Sequence, residues 1–196
     1  MTQTPVDPKE SESRRVKAKV CMVGEPCTGK TELIRKLVHN LFDDRYIQTV
    51  GTTVSRKELS STSPDGLHEV KVDMMIWDIM GEKWLHALLR DAYFEGSGGI
   101  LAVCDVSRKE TLDDLDGWIE DIQSVTGKIP IVLAINRRDR SAPEEITESD
   151  AMRFAATYGA SYFYTSNTGE NIDAIFNSLW MRVAENRLAD AGDSVG

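Results

Sequence analysis

The residues whose types and spacing could do chemistry are Gly24-Glu25-Pro26-Cys27-Thr28-Gly29-Lys30-Thr31. Four residues separate two glycines, and a lysine and a hydroxyl follow at once: G-x-x-x-x-G-K-[ST]. Glycine lets the backbone turn sharply, so that several consecutive N–H groups converge on one anion. In that reading Gly24, Pro26, Cys27, Thr28 and Gly29 cradle phosphates, Lys30 reaches the β- and γ-phosphates, and the Thr31 hydroxyl ligates Mg²⁺. The alternative is an ordinary glycine-rich turn before a helix. The flanks favour the phosphate site. An apolar, β-branched run from Val16 to Val23 leads in, and Leu33, Ile34, Leu37, Val38 and Leu41 lead out at helical spacing.

Further polar groups follow apolar runs. Asp78-Ile79-Met80-Gly81 ends one such run, where an acidic residue can hold Mg²⁺ and Gly81 leaves room for its N–H to approach a γ-phosphate. Thr49 is a candidate second hydroxyl ligand to the metal. Asn136-Arg137-Arg138-Asp139 ends another run. There Asp139 can accept two N–H bonds from guanine, a pair adenine lacks, and a desolvated carboxylate left unpaired rejects the wrong base. Thr165-Ser166-Asn167 ends a third run and offers a backbone N–H to the guanine O6. Phe42 either faces the base edge-on or is a core aromatic.

The elements that must position these groups alternate. Strands are predicted over 16–23, 52–60, 68–78, 100–104, 129–135 and 162–164, with the second and third joined as an antiparallel hairpin through the Pro64-Asp65-Gly66 turn. Helices are predicted after Lys30, over 84–94, 112–125, 151–158 and 172–188, with Thr147 and Asp150 as a capping box before the fourth. Alternation of this kind implies an α/β fold with a largely parallel, doubly covered sheet and ligands at the carboxyl ends of its strands. Residues 1–14 are polar and aperiodic and read as a disordered tail, 15–188 as one domain, and 189–196 as a frayed tail.

At 196 residues, with 41% hydrophobic and 28% charged residues, the chain is sized for one domain with a substantial core. The formal charge of −9 argues against nucleic acid and against an anionic membrane surface, and requires a phosphate site to supply its own positive potential. No run is long enough to span a bilayer and no signal peptide opens the chain, so a reducing, cytoplasmic setting is expected. Of the three cysteines, Cys21 and Cys104 fall in apolar runs and read as core; Cys27 is either a redox-sensitive thiol or a small residue that suits its loop. His39, His68 and His86 have no metal-like spacing.

The phosphate loop and the four later stretches, in this order, resemble the Ras-like small GTPases, and the Rab branch most, over about residues 16–187. Tyr46-Ile47-Gln48-Thr49-Val50-Gly51, Trp77-Asp78 and Thr168-Gly169-Glu170-Asn171-Ile172 carry the Rab-like likeness. The resemblance implies a three-layer P-loop NTPase fold: a mostly parallel six-stranded sheet with one antiparallel strand and helices on both faces. It implies GTP and GDP as ligands, Mg²⁺ held by Thr31, Thr49 and Asp78, and hydrolysis assisted by Lys30, Thr49, Gly81 and Glu82. Asn136, Arg137, Asp139, Ser166 and Asn167 would hold the base. Residues 46–53 and 78–94 would be switch regions that meet effector, exchange and activating proteins, with Trp84, Leu88 and Leu89 either docking an effector or packing on the sheet.

The chain departs from the family at telling places. Pro26 and Cys27 replace small residues of the loop, and Pro26 brings no N–H and a ring toward the path of a partner's arginine. Glu82 stands where the family places a water-orienting glutamine; a carboxylate cannot donate to the developing γ-phosphate charge, so slow hydrolysis is expected. Arg137 replaces the lysine of the base motif, and the loop after Ser166 is one residue shorter, with Asn167 in place of alanine. Asp193-Ser194-Val195-Gly196 offers no prenylatable cysteine and Met1-Thr2 no myristoylation site, so no autonomous membrane anchor is expected; a monomer is expected as well. Two rival functions stand beside the slow GTPase: a GTP-loaded adaptor that does not hydrolyse, and an adenine-specific P-loop enzyme, which Asn136 and Asp139 disfavour.

Overall fold

The computed structural model describes residues 14–39, 47–49, 52–62, 69–79, 91–137, 141–166 and 168–193. In chain order the elements are β1 (Arg14–Val23), α1 (Lys30–His39), β2 (Ile47–Thr49), β3 (Thr52–Thr62), β4 (Glu69–Ile79), β5 (Gly99–Asp105), α2 (Glu110–Asp113), α3 (Leu115–Thr126), β6 (Ile131–Arg137), α4 (Glu148–Tyr158), β7 (Ser161–Ser166) and α5 (Ile172–Asp193).

Among the described residues the strands form one sheet in the order β2-β3-β4-β1-β5-β6-β7. β4, β1, β5, β6 and β7 are parallel, and β3 pairs antiparallel with β4. Six of these strands, β3-β4-β1-β5-β6-β7, make the mostly parallel sheet with one antiparallel strand that the resemblance implies; the three-residue β2 adds a seventh at the edge, antiparallel to β3.

The burial pattern explains the pairing. Every residue of β5 is buried, as is all of β6 but its last residue, so these strands are covered on both faces and belong in the parallel interior. β1 shows how each face is supplied. Val20 and Met22 join Leu33, Leu37, Phe176, Leu179 and Trp180 from α1 and α5, whereas Cys21 and Val23 join Leu115, Ile119, Ile122 and Phe154 from α3 and α4. Each such aliphatic or aromatic side chain contributes about 1.5–3 kcal/mol by leaving water.

Several boundaries differ from expectation. The single helix predicted over 112–125 is two pieces, α2 and α3, meeting at Asp114, and α3 stops at Gly127 with φ +72°. The last helix runs on to Asp193 instead of fraying from residue 189, through Ala189 and Ala191, which are strong helix formers. The predicted capping box is present: Thr147 Oγ1 accepts from Asp150 N at 3.2 Å, and Thr147 N donates to Asp150 Oδ2 at 2.9 Å. Of the helix predicted over 84–94, residues 91–94 are helical and 84–90 lie outside the described residues.

What matters for a ligand is the centre of the sheet. β1 lies between β4 and β5; the chain leaves β1 toward the β2-β3 edge but leaves β4 toward β5, so the connections after these two neighbouring strands run in opposite directions. A crevice opens at the carboxyl ends of strands where the order reverses in this way. Gly24 lies there.

Candidate nucleotide-binding site

Gly24 follows β1 with φ +142°, a conformation side chains rarely adopt, and a Cβ built on it would lie 2.1 Å from the backbone oxygen of Val103. Glycine is therefore demanded twice, by torsion and by space. Cys27 has φ +61° and Gly29 φ +93°, and the loop closes where Leu33 N donates to Gly29 O at 3.0 Å in the first turn of α1.

The loop's carbonyls show which way it faces. Lys30 Nζ donates to Gly24 O at 2.8 Å and Glu25 O at 3.0 Å. Arg108 Nη2 donates to Pro26 O at 3.3 Å and Cys27 O at 3.2 Å, and Asn136 Nδ2 to Thr28 O at 2.9 Å. Five consecutive carbonyls thus meet side-chain donors. With the carbonyls so engaged, an anion at this loop would be met by N–H groups, those at the start of α1 included. Trp118 Nε1 of α3 donates to Oε1 of Glu25, the loop's one carboxylate, at 3.4 Å.

Lys30 is buried. Desolvation pushes its pKa down, against the opposite pull of the Asp78 and Glu25 charges. Asp78 at the end of β4 is buried as well; desolvation raises its pKa, against a hydrogen bond from Thr31 and the Lys30 charge. The Thr31 hydroxyl donates to Asp78 Oδ2 at 2.8 Å. Two oxygen donors of the kind Mg²⁺ takes therefore stand together beside the lysine, and the residues present fit that ion. Thr49 enters through register: it pairs with Thr52 on β3, which pairs with Ile79 on β4, placing Thr49 two strands away, about 10 Å, from the residue after Asp78.

Of the groups assigned to the base, Asn136, Arg137 and Ser166 stand at the adjoining ends of β6 and β7. Asp105, Asn136 and Thr165 are successive partners across β5, β6 and β7, and Arg137 pairs with Ser166. Asn136 is buried, and while its amide holds Thr28 O, its Oδ1 has no donor among the described residues. A buried acceptor left open is what a ligand's N–H would complete. Arg137 forms an ion pair with Glu144. The loop after β7 is held by Ser166 Oγ against Thr168 Oγ1 at 2.7 Å, by Thr165 Oγ1 on Glu170 O at 2.6 Å, and by Gly169 N on Ser166 O at 2.9 Å. Phe42, Gly81, Glu82, Asp139 and Asn167 lie outside the described residues.

Cys21 and Cys104 are buried, as their apolar surroundings implied, and Cys27 is exposed at the loop. Two contributors escaped the sequence reading. Arg108 and Trp118 reach the loop from after β5 and from α3, and the Asp105–Arg108 spacing after an apolar run was the only local sign of either.

Fold and loop together define a P-loop nucleotide-binding protein of the α/β type, its site at the sheet's reversal point. The profile of the Ras family matches residues 19–185. Among curated proteins the chain is similar to Ras-related protein Rab-21 of Geodia cydonium, 28% identical over 184 residues covering 93% of this chain and 77% of that one. Human Ras-related protein Rab-21 is 26% identical over 88% of this chain and 74% of its own length. GTP-binding protein ypt4 of Schizosaccharomyces pombe is 27% identical over 87% and 73%. The chain belongs to the Ras family and is a Rab-like small GTPase. No described helix is long and apolar enough to cross a membrane.

Proposed function

We propose that this chain is a Mg²⁺-dependent guanine-nucleotide switch that hydrolyses GTP slowly to GDP and phosphate, with residues 15–188 as its nucleotide-binding domain. The observation that carries the reading is the phosphate loop with all five carbonyls from Gly24 to Thr28 engaged, beside the Thr31–Asp78 pair. Lys30 leaves its carbonyls for the β- and γ-phosphates, a buried cation exchanging neutral acceptors for charged ones. Thr31, Asp78 and Thr49 would hold the metal, which would supply charge neutralisation at the phosphates. Asn136, Arg137, Asp139 and the backbone around Ser166 and Asn167 hold guanine. Gly81 donates to the γ-phosphate, and Glu82 in place of an amide makes turnover slow.

Residues 46–53 and 78–94 respond to the γ-phosphate and form the surface for effectors, exchange factors and activators, in the cytoplasm. The names of the relatives, Ras-related and GTP-binding, support the same ligand.

A single-turnover assay tests the reading. Protein loaded with GTP and given Mg²⁺ converts it to bound GDP over hours, and Asp139→Asn shifts preference toward xanthine nucleotides. GTP held unchanged would overturn hydrolysis and leave a loaded adaptor; equal binding of ATP would overturn the base assignment.

A further inference from the structure

Within the loop, Pro26 and Cys27 are the stretch least able to hold itself. Pro26 has no N–H to contribute, and Cys27 sits at φ +61°, where a residue with a β-carbon is strained. Lys30 holds the carbonyls before this stretch and Asn136 the one after it. The two between, Pro26 O and Cys27 O, are held by the guanidinium of Arg108.

That guanidinium is itself anchored. Arg108 Nε lies 3.4 Å from Asp105 Oδ2, and Asp105, the last residue of β5, is only 4% exposed. The other Asp105 oxygen accepts from Ser107 N at 3.1 Å and Ser107 Oγ at 2.7 Å, which fixes the carboxylate against the sheet. Asp105 also pairs with Asn136, so the side chains holding Pro26, Cys27 and Thr28 come from the turn just after β5 and from the neighbouring β6. Lys30 and Arg108 both reach the loop's carbonyls, which places two cations around an anion site in a chain of formal charge −9.

We propose that Arg108 is a positioning residue of the nucleotide site: an internal clamp, anchored on Asp105, that keeps the Pro26–Cys27 stretch in its anion-receiving shape and so sets how long a guanine nucleotide is retained. This rests on the function proposed above. When Lys30 turns from Gly24 O and Glu25 O toward phosphate, Arg108 still holds the carbonyls of Pro26 and Cys27, and Asn136 that of Thr28. The clamp acts through the loop's shape. It offers a physical reason why a loop carrying proline and a strained cysteine in its middle can still serve.

The test is the dissociation of a fluorescent GDP analogue, chased with excess GDP, from the full chain and from Arg108→Ala, Arg108→Lys and Asp105→Asn. Loss of a charge-assisted hydrogen bond at a partly exposed group is expected to speed release about fivefold to tenfold in Arg108→Ala. Arg108→Lys recovers part of the retention, because an ammonium still donates to carbonyls. Asp105→Asn, which keeps the arginine and weakens its anchor, falls between. Release from Arg108→Ala within twofold of the parent would overturn the clamp. So would faster release in Arg108→Ala and Arg108→Lys alike, accompanied by a lower thermal midpoint of the nucleotide-free protein, which would mark a general structural role. Unchanged retention with slower GTP hydrolysis would overturn it in favour of a catalytic contact. Failure of the parent chain to retain guanine nucleotide would overturn the proposed function along with it.

Discussion

The hydroxyl of Thr31 and the carboxylate of Asp78, from the start of α1 and the end of β4, share a hydrogen bond of 2.8 Å. It joins residues 47 positions apart in the chain. Removing Asp78 therefore tests the metal assignment. Asp78→Ala is expected to weaken Mg²⁺ binding by about tenfold or more, since even outer groups of metal sites cost that much. The check is nucleotide retention in Mg²⁺ and in EDTA: the parent retains far longer in Mg²⁺, and the variant shows little difference between the two.

Gly24→Ala would place a methyl 2.1 Å from the Val103 oxygen at φ +142°. Two backbones cannot part cheaply, so a loss of about 3 kcal/mol or more is expected. In a domain of this size that lowers the thermal midpoint by roughly 6–12 °C, read by calorimetry.

Asn136→Ala leaves Thr28 O without its donor and takes away the open Oδ1 as well. A buried acceptor stripped of its partner costs about 1–3 kcal/mol, and nucleotide affinity is expected to fall about 10- to 100-fold. The nucleotide-free protein loses less, because the variant also removes an acceptor that had no donor there. Comparing the fall in affinity with the shift in thermal midpoint checks the difference.

The capping box of α4 gives a pH dependence. A hydrogen bond from Lys109 Nζ at 2.7 Å, with those from Thr147, holds the Asp150 carboxyl far below its ordinary 3.8. A depressed value in the folded state means the contribution is fully present above pH 3.8 and is lost as pH falls through the folded value. Asp150→Asn is expected to melt lower than the parent at neutral pH. The gap should narrow on acidification below pH 3.8, in parallel thermal melts.

Much of this was legible along the chain because it is local. Gly24 to Thr31 sits between a strand pattern and a helix pattern, and such a loop's chemistry is encoded in consecutive residues. The buried runs of β5 and β6 announced a doubly covered sheet, and Thr147 with Asp150 announced a cap. The break at Asp114 was not legible, since Leu112, Leu115 and Ile119 keep one stripe across it. Nor was the short β2, whose three residues carry no period of their own.

The sequence by itself determined the fold class, the phosphate loop and the membership of a family, because periodicity and short motifs are properties of neighbours in the chain. Only the tertiary structure decided how the loop is held. Arg108 reaches Cys27 across 81 positions, Asn136 reaches Thr28 across 108, and Trp118 reaches Glu25 across 93. Those meetings depend on β5 lying beside β1 and β6 beside β5 in register, and on α3 covering that face, and no spacing along the chain records where a folded sheet brings its strand ends together.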